Sequence, residues 1–298
     1  MAVSGTITSK VTNTIQTAPH LSLRVARSAT DHCSFMAYQY ARYPFRLSNN
    51  LRLDPTDLRR VYAYIMNASP GILSGDNLHL SVEVGAEASL YLTDQSATKV
   101  HSQSAVQQES GASAEINWKI KVGCGGYFEF MPEPIILFKS AALTQRMEIT
   151  LHSQAQMVLS EIVVPGRMAR GEFYDFEQFQ SRLRIQNPEG DLLFVDNLNV
   201  LGRNNLFKCS SWLTDFPIIA NFIAVVPDIK LAHLARELER HAVPAIALQV
   251  CDSPLPGCNG LWIRAIATQV SALKAYQRHL LSCVRQISGN APLPPIPK

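Results

Sequence analysis

From about Leu78 to Val200 the chain alternates apolar and polar positions with a period of two. Leu78, Leu80, Val82 and Val84 alternate with polar neighbours, as do Ala114, Ile116, Trp118, Ile120 and Val122, and later Met147, Ile149 and Leu151. Successive side chains of a strand point to opposite faces, so these runs predict half-buried strands. Asn187-Pro188-Glu189-Gly190 puts Pro and Gly where a type I turn favours them, which predicts a hairpin between 182–186 and 191–196.

A weak repeat overlies the alternation. Gly85-Ala86-Glu87-Ala88-Ser89-Leu90-Tyr91-Leu92 resembles the stretch from Gly111 to Trp118 and the stretch from Gly123 to Phe130. Each is a turn at Gly, then small residues, then large apolar ones. A degenerate fourth copy runs from Gln154 to Glu161. The irregular spacing argues against a regular solenoid and favours stacked hairpins in layered sheets. In this alignment the last inward position holds Leu92, Trp118, Phe130 and then Glu161. A carboxylate on an apolar face costs several kcal/mol unless it is paired, solvated or bound. A salt bridge to Arg167 or Arg170, or a strand shifted in register, would also account for Glu161.

The C-terminal quarter changes period. Leu231, Leu234, Ala235 and Leu238 fall at helical spacing, as do Leu273, Tyr276, Leu280, Val284 and Ile287. Asp228 and Ser271 are the predicted N-caps and Gly289 the predicted C′ residue. Residues 245–250 and 261–267 read as short strands between the helices, and Ala291 to Lys298 as an extended Pro-rich tail. The expected class is mostly β, with layered sheets and two C-terminal α-helices. It is read as one β-rich domain over 1–298, with a β body at about 20–220, a helix-containing part at about 221–290 and the tail at 291–298.

Composition narrows the function classes. Charged residues make up 17% of the 298, low for a soluble protein, which fits a wide buried interior or surfaces covered by partners. A net charge of +3 without a Lys/Arg run gives no nucleic-acid footprint. The first 24 residues hold no uninterrupted apolar stretch, so neither a secretory signal nor a membrane span is expected and the cytoplasm is the expected compartment. The six cysteines lack a C-x-x-C pair and the eight histidines stand singly, so no permanent metal site or bound cofactor is expected.

Enzyme signatures are missing: no P-loop, no G-x-S-x-G elbow and no H-E-x-x-H. Gly123-Cys124-Gly125-Gly126 leads into a strand, so it lacks the helix N-terminus that holds phosphate. A glycoside hydrolase with paired carboxylates would need sugar-stacking aromatics, and aromatics are only 8% with no Trp cluster.

Four segments are more specific than generic strands. They are Asn67-Ala68-Ser69-Pro70-Gly71-Ile72-Leu73-Ser74-Gly75-Asp76, Leu92-Thr93-Asp94-Gln95-Ser96-Ala97-Thr98-Lys99-Val100, Phe128-Glu129-Phe130-Met131-Pro132-Glu133-Pro134, and Glu161 through Pro165-Gly166-Arg167-Met168-Ala169-Arg170-Gly171-Glu172. In this order they resemble the motifs of the urease accessory protein D family, also called UreH. Tyr43-Pro44-Phe45-Arg46 and Gly260-Leu261-Trp262-Ile263-Arg264 fit as well, so the resemblance covers about 40–290. Pro70 and Ser74 stand where the family usually has Gly, and Asp94 where Thr is common.

The resemblance implies a non-enzymatic metallochaperone scaffold. It would bind a helical F subunit and a GTPase G subunit, dock on apo-urease, and help insert nickel there. A cargo metal must be released, which high-affinity His/Cys clusters would prevent; sparse carboxylates along a wet path suit it better. Asp76, Asp94, Glu129, Glu133 and Glu161 are the candidates for such transient Ni²⁺ contacts, with Asp76, Glu129 and Glu161 favoured by the family match. Gln95, Ser96, Thr98, Lys99, Arg167, Arg170 and Glu172 are the candidates for structural or interaction roles. A pure interaction scaffold that never touches metal remains the alternative.

Overall fold

Strands that alternate in polarity must lay their apolar faces together, and here they do so as two stacked sheets. A computed structural model of the chain describes residues 18–49, 51–53, 58–102, 113–202, 214–227, 231–240 and 242–296. With strands numbered in chain order, sheet I runs β14 (Leu192–Leu201), β13 (Gln178–Gln186), β11 (Ala142–Leu151), β8 (Ala114–Val122), β5 (Asn77–Val84), β1 (Leu21–Arg27), β2 (Ser34–Ala41). Sheet II runs β16 (Leu248–Pro254), β17 (Gly260–Ala267), β15 (Ile218–Val225), β12 (Gln156–Val164), β9 (Tyr127–Met131), β6 (Ser89–Asp94), β4 (Arg60–Asn67), β3 (Phe45–Leu47). The short β7 (Thr98–Val100) and β10 (Ile135–Leu137) branch from it beside β12. Two helices, α1 (Leu231–Leu238) and α2 (Val270–Ile287), follow in the C-terminal part. The class is the expected one.

The repeat units are connected differently from the expected hairpins. The chain leaves β5 in sheet I, turns at Gly85 and enters β6 in sheet II, so each unit is an arch whose two strands do not pair with each other. Successive arches stack instead: β5 pairs in parallel with β8, β8 with β11, β6 with β9 and β9 with β12. The turns stack too, through bonds such as Glu87 N–H to Cys124 O at 2.8 Å and Gln156 N–H to Gly126 O at 2.9 Å. A Cβ on Gly123 would lie 3.0 Å from the Ala86 backbone nitrogen, so the repeated glycine reflects close approach of one turn to the next. The expected hairpin between β13 and β14 is present, with Asp191 N–H bonded to Asn187 Oδ1 at 2.7 Å across its turn.

Two apolar layers result. Leu90, Leu92, Phe128, Phe130, Met157 and Leu159 point between the sheets, and Trp118 meets Phe130 across them at 4.8 Å between ring centroids. Their neighbours Tyr91, Tyr127, Met131 and Val158 point the other way, where sheet II is covered by α1 and α2 through Leu234, Leu238, Leu273, Tyr276 and Leu280. Helix α2 begins after Gln269, not at a capping Ser271; the Ser271 hydroxyl bonds Gln269 Oε1 at 3.3 Å. Gly289 follows the helix with a positive φ of 66°, as expected of a C′ residue. Asp228, Cys209 and the first two residues of the Gly111–Trp118 copy lie outside the described residues.

The helix-side layer carries one buried ionic cluster. Glu129, fully buried, accepts hydrogen bonds from Arg285 of α2 at both carboxylate oxygens, with Nε to Oε1 at 2.8 Å. Arg60 approaches the same carboxylate at 3.3 Å, and its guanidinium lies over the Tyr127 ring at 4.6 Å. The cluster also fastens the chain beyond α2, since Arg60 donates to Asn290 Oδ1 at 3.3 Å and Arg285 to the Ala291 carbonyl at 3.4 Å. Replacing Glu129 would leave two buried guanidinium groups without their shared anion. Glu129→Gln is therefore expected to lower unfolding free energy by about 3 kcal/mol or more in urea titrations. A loss comparable to that of an exposed ion pair, under about 1 kcal/mol, would contradict this account.

Candidate functional site

A cavity of about 80 Å³ runs between the sheets, lined from β4, β6, β9, β12, β15 and β17 or their ends on one side. Those six strands are consecutive neighbours in sheet II, so the lining crosses about 24 Å of sheet at normal strand spacing. Most of the wall is apolar. Apart from Ser160, which bonds Gln277 of α2, the polar groups fall into two sets: Asn67, Asp94, Thr98 and Glu133 towards β4 and β6, and Gln145, Glu161, Ser181, Asp196 and Asn221 towards the β14 and β17 side.

The second set follows from register. On sheet II, Glu161 of β12 pairs with Asn221 of β15, which pairs with Arg264 of β17. The row on one side is Leu159, Ile223 and Trp262, and on the other Val163, Ile219 and Ile266. One polar row thus crosses an otherwise apolar inner face. Sheet I answers it with Gln145 and Ser181, paired across β11 and β13, and with Asp196 on β14.

Glu161 sits at the centre of this seam. Gln145 donates to its Oε1, Ser181 Oγ donates to the same oxygen at 3.0 Å, and Asn221 Nδ2 lies 3.5 Å from Oε2. Neither Arg167 nor Arg170 pairs with it: Arg167 is bonded to Glu172, and Arg170 is exposed. Burial pushes the Glu161 carboxyl above its ordinary value, and Asp196 adds to that, while the three donors pull the other way. Asn221 Nδ2 also lies 3.5 Å from Asp196 Oδ2, so one amide spans both carboxylates. Asp196 in turn accepts from Arg264 Nη2 at 2.7 Å. The Asn221 Oδ1 and Trp262 Nε1 atoms are buried without a hydrogen-bond partner.

The other expected residues distribute unevenly. Asp94 and Glu133 line the cavity, with Glu133 N–H donating to Asp94 Oδ2 at 3.2 Å and Lys274 of α2 pairing with the Glu133 carboxylate. Burial lowers the Lys274 ammonium from its usual value, helped by nearby Arg278. Asp76 is not on the cavity wall; its Oδ2 accepts the Leu73 N–H at 2.8 Å and closes the turn before β5. Glu129 is not on it either. Strand alternation turns it to the helix side, between Phe128 and Phe130, where the two arginines occupy its oxygens.

The loop motifs bond to one another and to neighbouring strands. Gln95 and Ser96 are exposed, and the Gln95 N–H bonds Ile65 O at 2.9 Å. Thr98 lines the cavity and its N–H bonds Pro134 O at 2.9 Å, while exposed Lys99 accepts the Ile72 N–H at 2.8 Å. A Cβ on Gly71 would lie 2.4 Å from that Lys99 oxygen, so only glycine lets these two motifs meet. Glu172 accepts from Arg167 Nε at 2.9 Å and from the Arg167 and Lys139 backbone N–H groups; Arg167 holds the carboxyl below its usual range.

Among the described residues no three His, Cys, Asp or Glu side chains gather to hold a metal ion, and no helix is long and apolar enough to cross a membrane. The seam instead offers carboxylate, amide and hydroxyl oxygens. The model of the family described as UreD urease accessory protein matches residues 17–298. The chain belongs to the UreD urease accessory protein family. Among UreD relatives, the urease accessory protein UreD of Trichodesmium erythraeum is 41% identical over 266 residues, 89% of this chain and 94% of that protein. UreD of Haloarcula marismortui is 30% identical over 80% of this chain and 77% of its own length, and UreD 2 of Streptomyces griseus 26% over 87% of each.

Asp196 and Asn221 belong to the site although neither was among the sequence candidates. Each is a polar residue at an inward position of a strand, the same signal that marks Glu161, but Asn221 joins the Glu161 row only once strands are paired, and Asp196, opposite Leu183, meets it only once the sheets stack. The pH dependence of Glu161 is testable. Its folded-state carboxyl titrates above the unfolded one, so its charge costs stability as pH rises past the unfolded value, about 4.3. Glu161→Gln should melt higher than the parent at neutral pH, and the difference should vanish below about pH 4 in scanning calorimetry. A difference independent of pH would show that Glu161 is not held in this environment.

Proposed function

We propose that this UreD protein is a non-enzymatic scaffold that helps insert nickel into urease, working in the cytoplasm. It would bridge apo-urease and the other accessory proteins, the F and G subunits, and pass Ni²⁺ along the cavity between its sheets. One observation carries the transit part: an oxygen-lined row crosses the inner face of sheet II at Glu161, against Gln145, Ser181 and Asp196 from sheet I. At about 80 Å³ the cavity admits a few waters, so a passing dication would exchange part of its hydration shell for protein oxygens. Asp94 and Glu133 would serve the β6 side and Glu161 and Asp196 the β14 side. Asp76 and Glu129 keep structural places in this reading, as a turn closer and as the anchor of α2.

Two carboxylates per set keep any one stop weak. That suits a cargo that must be released, where thiolate and imidazole clusters would retain it. Neutral isosteres separate this proposal from a scaffold that never touches metal. Asp94→Asn combined with Glu161→Gln should leave pull-down of F, G and apo-urease intact while urease activation and nickel content fall about tenfold or more. If activation instead falls only in proportion to lost complex or lost thermal stability, the carboxylates are structural and the pure-scaffold reading holds.

A further inference from the structure

The polar seam does not end at Asp196. On sheet II it continues from Asn221 to Arg264, and Arg264 reaches across to Asp196 at 2.7 Å, tying β17 of one sheet to β14, the terminal strand of the other. The pair is lopsided. The Arg264 side chain is 42% exposed and the Asp196 side chain 12%, so the cation stands half in water while its anion stays inside. A guanidinium can leave such a contact for solvent at small cost, whereas the carboxylate cannot follow it. The bond is also a poor example of its type, because Arg264 reaches Asp196 through Nη2 alone and its Nε is buried without a partner. Bidentate pairing, the strong form of this interaction, is not used. The indole of Trp262 lies beneath the guanidinium at 4.5 Å and offers it a second resting contact.

We infer that Arg264 is a displaceable plug, neutralising Asp196 until a divalent cation moving along the seam takes its place. This rests on the nickel-transit reading and names what controls the β14/β17 end of that path. A dication brings twice the charge of the guanidinium to Asp196 and can be shared with Glu161, since Asn221 Nδ2 lies 3.5 Å from an oxygen of each. The unpartnered Asn221 Oδ1 supplies a further oxygen beside them. A monovalent ion would bring no more charge than Arg264 already does, so the plug favours divalent cargo. When the cargo leaves, Asp196 would again be an anion with little solvent, and the guanidinium returns.

The test is Ni²⁺ binding to the full-length chain, followed by equilibrium dialysis and by quenching of tryptophan fluorescence. Arg264→Met keeps the stem over Trp262 but removes the competing charge, and should bind Ni²⁺ about tenfold tighter than the parent. Arg264→Lys should match the parent, and Asp196→Asn should bind more weakly. A lost structural contact would not tighten metal binding, so an unchanged or weaker affinity in Arg264→Met overturns the plug. Should that variant fail to fold, the parent decides: its Arg264 Nε–H resonance must shift when diamagnetic Zn²⁺ is added, and an unmoved resonance overturns the inference. Glu161→Gln separates the two levels. If it leaves Ni²⁺ affinity unchanged, the transit reading fails; if it weakens binding while Arg264→Met changes nothing, only the plug fails.

Discussion

An ionised carboxylate between two apolar sheets must be solvated, paired or bound, and the interior of this protein is arranged around that constraint. Glu161 faces inward on β12 with hydrophobic rows on either side of its own, yet among the described residues no cation pairs with it directly. Its solution is a set of neutral donors from three strands, Gln145, Ser181 and Asn221, and a cavity that keeps the sheets from closing over it. Neutral donors stabilise the anion without cancelling its charge. A buried site with uncancelled charge and some room is one that attracts cations and does not lock them in place.

Glu129 shows the opposite outcome on the same sheet. It lies on β9, next to β12, but alternation sends it to the helix side, where Arg285 and Arg60 both pair with it. There the charge has been used for assembly: it joins α2 and the chain beyond it to the strands below. Two glutamates on adjacent strands, one residue of parity apart, thus serve cohesion and attraction respectively. The difference lies in the layer each enters, not in the residue.

This contrast also marks how much was legible in the sequence. Period-two alternation gave the strands, the Gly-led repeat gave the stacking, and 3.6-residue spacing gave both helices, because these signals are local. What joins one element to another was less accessible. The repeat copies read as hairpins because a turn between two strands looks alike whether the chain returns to the same sheet or arches to the other. Glu161 was placed on the correct face although its alignment was two residues out; Leu159, not Glu161, pairs with Phe130. A two-residue slip preserves the face of a strand, so the error did no harm. Glu129 lies on the other face, and a run of Phe-Glu-Phe does not say which of two covered faces the acid enters. Asn221 and Arg264 line up with Glu161 only through strand pairing, and Asp196 meets them only because the other sheet stacks on theirs.

The central claim is that the seam beside Glu161 accepts a divalent cation inside the sandwich. Anomalous diffraction at the nickel absorption edge, from crystals of the chain soaked in dilute Ni²⁺, tests it most directly. The account predicts an anomalous peak between Glu161 and Asp196, with Arg264 displaced from the Asp196 carboxylate and no peak there in Glu161→Gln crystals. Nickel found only on surface histidines, with the Asp196–Arg264 pair intact and the cavity free of metal at every concentration, would contradict it.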